Sequence, residues 1–118
     1  VAARSRTGAL ELPSGLRAIA VAETSTGALL HWAASEDFAM PEHATVASRL
    51  LAQQSEAFRL SDPSQSIDEI VLFSATRGEI IRPLSALDGR FGMVVFELSE
   101  CNLVVARLEL TRFVFACG

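Results

Sequence analysis

The residues that could do chemistry are few and dispersed. His31 and His43 share no HxH or HxxxH spacing and have no clustered carboxylates beside them, whereas a zinc or iron site needs several converging ligands. No metal or other cofactor is expected. Glu36-Asp37 and Asp68-Glu69 are adjacent carboxylates; neighbours on a strand point to opposite faces, so they read as solvated charges. Cys101 follows Ser99 and Glu100 at an expected helix start, where a thiol pKa can fall, although buried structural cysteine is the commoner role. Gly27, Gly78 and Gly89 each fall at a turn between strand-like runs, and none belongs to GxGxxG or GxxxxGK[ST], so no nucleotide site is expected. Trp32 beside His31 could line an aromatic pocket, but a single Trp near a strand end more often serves core or interface. No activated nucleophile or acid–base pair emerges, and the chain does not read as an enzyme.

The bulk composition narrows the partners. The chain has 118 residues, enough for one domain over 1–118 and too few for two well-filled cores. Half its residues are hydrophobic and its mean hydropathy is +0.34, rich for so small a domain, so a partner should cover the excess. The net charge of −4 and pI near 5.1 argue against nucleic acid and anionic membrane surfaces, which reward clustered cations. All ten basic residues are Arg, and they are scattered. No apolar run approaches the ~18 residues of a membrane span. Glu11, Pro13 and Arg17 interrupt any hydrophobic stretch near the start, so no signal peptide is expected. If the closing helix is continuous, Cys101 and Cys117 lie about 24 Å apart, beyond the ~7 Å reach of a disulfide. A reducing, cytoplasmic setting is expected.

Hydrophobic periods then give the elements. Residues 1–15 are weakly patterned, with Ala9, Leu10 and Leu12 as anchors of at most a short helix before the Pro13-Ser14-Gly15 break. Strands are expected at 17–23 and 28–34, joined by the small residues of Thr24-Ser25-Thr26-Gly27. A helix over 41–60 starts at Pro41, with Glu42 near its positive end. It carries one stripe of Ala44, Ala47, Leu51, Gln54 and Phe58, and beside it a second of Val46, Leu50, Gln53 and Ala57. Three strands follow as a meander, at 67–75, 79–84 and 91–98, turning at Arg77-Gly78 and Asp88-Gly89. The first should put Ile70 and Leu72 on one face and Ile67, Val71 and Phe73 on the other. Pro83 belongs at a strand end. Ser99 is the expected N-cap of a last helix with Leu103, Val104, Ala106, Leu108, Leu110, Phe113 and Val114 as its apolar residues.

This β-β-α-β-β-β-α order resembles the roadblock family, the dynein light-chain type of small α/β domain that also occurs in bacteria and archaea beside Ras-like GTPases. The resembling segments are LRAIAVAETSTGALLHWAAS and IDEIVLFSATRGEIIRPLSALDGRFGMVVFELSECNLVVARLEL. With the central helix they cover about residues 16–115, and IIRPL, FGMVVF and Asn102-Leu103 followed by ARLEL carry the likeness best. The short N-terminal region departs from the family's fuller first helix, and His31-Trp32 is heavier than the small residues often found there.

The resemblance implies an α/β (α+β sandwich) fold, a five-stranded antiparallel sheet ordered 2-1-5-4-3 with the central helix on one face and terminal helices on the other. It also implies a homodimer that pairs third strands edge to edge and central helices alongside. The residues agree, because an apolar edge strand is an aggregation hazard unless paired. The expected dimer interface is Val46, Leu50, Gln53, Ala57, Ile67, Glu69, Val71 and Phe73. A partner-binding surface is expected at Glu42, His43, Arg49 and Glu56, on the helix side away from Ala47 and Leu51. The leading function is thus a non-enzymatic homodimeric adaptor or regulator of a Ras-like small GTPase or a larger signalling or motility assembly. The alternative is a small-molecule sensor of PAS or profilin-like architecture with a cavity near Trp32.

Overall fold

The computed structural model describes residues 3–5, 12–84 and 89–117. Its elements are β1 (Ala3–Ser5), β2 (Leu16–Glu23), β3 (Leu29–Ser35), α1 (Met40–Ser61), β4 (Ile70–Phe73), β5 (Arg77–Pro83), β6 (Arg90–Glu97) and α2 (Leu103–Cys117). They build one antiparallel sheet in the order β1-β3-β2-β6-β5-β4. Strands β2 to β6 reproduce the expected 2-1-5-4-3 order. Ala3–Ser5 add a sixth, edge strand against β3, where the weak pattern predicts at most a short helix; Ala9 and Leu10 lie outside the described residues. α1 covers one face and α2 the other.

Alternation on β2 decides how the layers pack. Ala18, Ala20 and Ala22 face α1, whereas Ile19 and Val21 face α2. With Ala34 the small residues make a low floor, on which Ala44, Ala47 and Leu51 of α1 are buried together with Met93 and Val95 of β6. The opposite core joins Ile80, Val94 and Phe96 to Ala106, Leu110 and Phe113 of α2. β6 is buried from Phe91 through Phe96, as suits a central strand covered on both faces. Ser48 Oγ donates to the Thr24 carbonyl at 2.6 Å and ties α1 to the β2–β3 hairpin.

Several boundaries differ from expectation for physical reasons. β4 begins at Ile70 and spans four residues; Ile67 packs instead with Ile70 on the α1 side, breaking the alternation expected from residue 67. The β4–β5 turn lies at residues 74–76, held by Ser74 N–H donating to the Arg77 carbonyl at 2.8 Å, and Arg77 and Gly78 are already in β5. Gly78 is required by packing: an added Cβ would stand 2.3 Å from Cζ of the buried Phe96 ring. Asn102, not Ser99, caps α2, its Oδ1 accepting from Val105 N–H at 2.9 Å. Pro41 stands in the first turn of α1 as expected.

The start of β4 is fixed by charge. Glu69 accepts from Arg82 of β5 at 3.0 Å and from Arg107 of α2 at 2.7 and 2.9 Å. Burial works against this carboxylate, but hydrogen bonds from Arg107 and Arg82 outweigh it and hold its pKa below the ordinary value. Arg82 also donates to Thr111 Oγ1 at 3.0 Å, so β4, β5 and α2 meet at one clamp.

Two stability measurements test this account. Gly27 has a φ of +77°, and an added Cβ would stand 2.7 Å from the Ala44 carbonyl oxygen and Thr45 Cα; Gly27→Ala should lower unfolding free energy by about 1–3 kcal/mol in urea titrations. Glu69→Gln should cost about 1–3 kcal/mol at pH 7. Because the folded pKa of Glu69 is depressed, its contribution is complete above the unfolded carboxylate value, about 4.3, and is lost as pH falls through the folded value. Wild type and Glu69→Gln should therefore converge in stability as pH is lowered from about 5 toward 3; a constant gap would reject the clamp.

Candidate interaction surface

The rise of α1 is about 1.5 Å per residue, so its 22 residues run roughly 33 Å, and only the first half rests on the sheet. The buried residues are Met40, Ala44, Ala47, Ser48 and Leu51. From Ala52 to Ser61 every residue except Ser55 is exposed, including Phe58 and Leu60, with Leu60 at 78%. Gln54 and Phe58, expected on the core stripe, instead overhang a groove of about 440 Å³ with Leu50 above and Ile67, Ile70 and Leu72 below. The cause is the short β4, which leaves little floor under the far end of the helix.

The sheet edge beside this groove is also bare. β4 pairs on one side with β5, through Ile70↔Ile81 to Phe73↔Gly78, and no strand pairs with its other side among the described residues. Leu72 and Phe73 are exposed. Unpaired backbone groups and apolar side chains on one edge form a ready template for another strand.

The expected interface residues divide between the two faces. Val46, Gln53 and Ala57 are exposed along α1, with Leu50 half-buried beside them, and Ile67 belongs to the same side. Val71 packs into the α2-side core, and Glu69 is turned to Arg107 on that side. Phe73 stands exposed at the end of the edge.

Of the expected partner-binding residues, Glu42, Arg49 and Glu56 are exposed on one line of α1 with Val46 and Gln53. Glu56 forms an ion pair with Arg59 one turn on. His43 is turned inward: its Nε2 lies 2.8 Å from Glu79 Oε2 on β5, and its ring is 5.0 Å from that of Phe38. Nearby, Asp37, Arg17, Glu97 and Arg77 form a chain of ion pairs at 2.7, 3.6 and 3.1 Å. The Arg17 guanidinium holds the Asp37 carboxyl below its usual pKa.

The remaining candidates lie in or beside the two cores. Cys101 and Cys117 are free thiols, and burial raises the pKa of both. The lowered pKa that a helix start could give Cys101 is not realised, because α2 begins at Leu103 and burial dominates. Trp32 packs on the α1-side core. His31 has a buried Nδ1 without a hydrogen-bond partner among the described residues. Sequence reasoning misses the groove, the Glu69 clamp and the Asp37–Arg77 chain. The clamp joins Glu69 to residues 13 and 38 positions away, beyond any local pattern, and the pairing of charges between distant elements leaves no signal along the chain.

No protein-family model matches the sequence, and no match to a curated protein reaches significance. Solved structures do share the architecture. The Roadblock/LC7 domain from Streptomyces avermitilis superposes with a TM-score of 0.72 at 13% identity, over 86% of this chain and 82% of that one. Myxococcus xanthus MglB gives 0.69 at 12% identity over 82% and 76% of the two chains. An MglB described as having a tetrameric arrangement gives 0.69 at 16% identity over 88% and 81%. At these identities the likeness is one of fold: the chain has the roadblock fold.

Proposed function

We infer that the protein is a roadblock-type adaptor or regulator that works as a homodimer and performs no chemistry of its own. The observation that carries this reading is the coincidence, on one side of the molecule, of an apolar edge strand and a helix whose outer half is largely exposed, neither covered among the described residues. Pairing β4 with its copy satisfies the edge and sets the two α1 helices side by side. The tetrameric arrangement described for one MglB supports self-association on this fold. The paired helices then make one platform shared by both protomers, with Glu42 and Val46 at its border. A Ras-like GTPase is the partner that the resemblance implies, and any effect on hydrolysis would act through the partner's mobile loops.

The groove under Phe58 favours a second reading, a small apolar ligand held between Leu50 and Ile67. The two readings separate by experiment, since a ligand there should compete with dimerisation.

Sedimentation at micromolar concentration should give a dimer, and Leu50→Glu should weaken it by several kcal/mol, on the order of the cost of a buried unpaired charge. A wild-type monomer would remove the proposal. Calorimetric titration with GTP should give no saturable heat, while a Ras-like GTPase from the same source should bind with one copy per dimer. Saturable GTP binding by this chain alone would contradict the adaptor reading.

A further inference from the structure

α1 carries a charge pattern beside its apolar stripe. Arg49 and Glu56 are both exposed and stand seven residues apart, two turns along the same line. About 10 Å of helix separates them, so they cannot pair within one chain. Arg49 forms no ion pair among the described residues, and Glu56 pairs only with Arg59, with about half or more of each side chain in solvent.

A two-fold axis across α1 sets each residue against its reflection through the centre. The apolar stripe of Val46, Leu50, Gln53 and Ala57 is centred between Leu51 and Ala52. The midpoint of Arg49 and Glu56 falls between Ala52 and Gln53, about one residue or ~1.5 Å away. The axis that closes the stripe on its copy therefore sets Arg49 of one protomer within about two residues, ~3 Å, of the level of Glu56 of the other, a gap that the long Arg side chain spans, and does so twice. A parallel alignment would instead oppose Arg49 to Arg49 and Glu56 to Glu56, which disfavours it.

We propose that two reciprocal Arg49–Glu56 pairs set the register and self-specificity of α1 pairing, with a second copy of this chain as the occupant of that face. The inference rests on the homodimer proposed above and deepens it: apolar burial supplies the attraction, and the charges choose the partner and alignment.

Charge exchange tests it. Self-association would be measured by sedimentation for wild type, Arg49→Glu, Glu56→Arg, the double variant, and an equal mixture of the two single variants. Each single variant replaces two attractions by two repulsions and should dimerise about tenfold more weakly. The double variant recreates both pairs with signs reversed and should return to within a few-fold of wild type. The mixture should form a heterodimer of similar strength, since the Arg49→Glu protomer is acidic at both positions and the Glu56→Arg protomer is basic at both. Arg59→Ala controls for the neighbouring pair, and melting curves check that each variant is folded. Singles as tight as wild type, or a double variant no tighter than the singles, would overturn the charge register while leaving the dimer standing. A monomeric wild type would overturn both.

Discussion

The fold depends on how near α1 can come to the sheet. Ala18, Ala20, Ala22 and Ala34 present almost no side-chain height, so the helix backbone lies low enough for the hairpin at Gly27 to touch Ala44 and Thr45. Such contact is unforgiving of added volume, because a filled interior has nowhere to put an extra methyl group. It also fixes the helix direction, since Ser48 can reach the Thr24 carbonyl only from this height.

Once the first half of α1 is fixed, the second half has no choice of course. It leaves the alanine floor at Leu51 and passes over the region where β4 has only four residues. The exposed Phe58, Leu72 and Phe73 follow from that geometry. On the opposite face the demand is met differently: Leu110 and Phe113 fill the space over Ile80 and Val94, and Glu69 locks α2 to the approach of β4. One side of the sheet is sealed by side chains within the chain, and the other is left partly open.

The order of the elements and the core stripe of α1 are legible in the sequence because each follows from a short-range period. Ala44, Ala47 and Leu51 are buried as their spacing predicts. Periodicity cannot say where the stripe stops, because Gln54 and Phe58 continue it after the sheet has ended. Ile67 extends the alternation of β4 on paper, yet it precedes the first ladder pair at Ile70. Ser99 and Asn102 are both good caps, and only the position of the following backbone chooses Asn102. His43 and Glu69 show their residue types but not their partners, since Glu79, Arg82 and Arg107 arrive from distant strands and the last helix.

The sheet order has a consequence for how the chain assembles. β2 pairs with β6, from Leu16↔Phe96 to Glu23↔Arg90, so the middle of the sheet joins strands that lie far apart in the sequence. Contacts of this span close late, after large loops have been drawn in. The β2–β3 and β4–β5 hairpins are local and can form early, but neither has a common core with the other until β6 slides between them. During synthesis the alanine floor thus waits for the last strand before α1 has a complete surface to lie on. The fold is closed from its centre, by the strand that follows all the others along the chain.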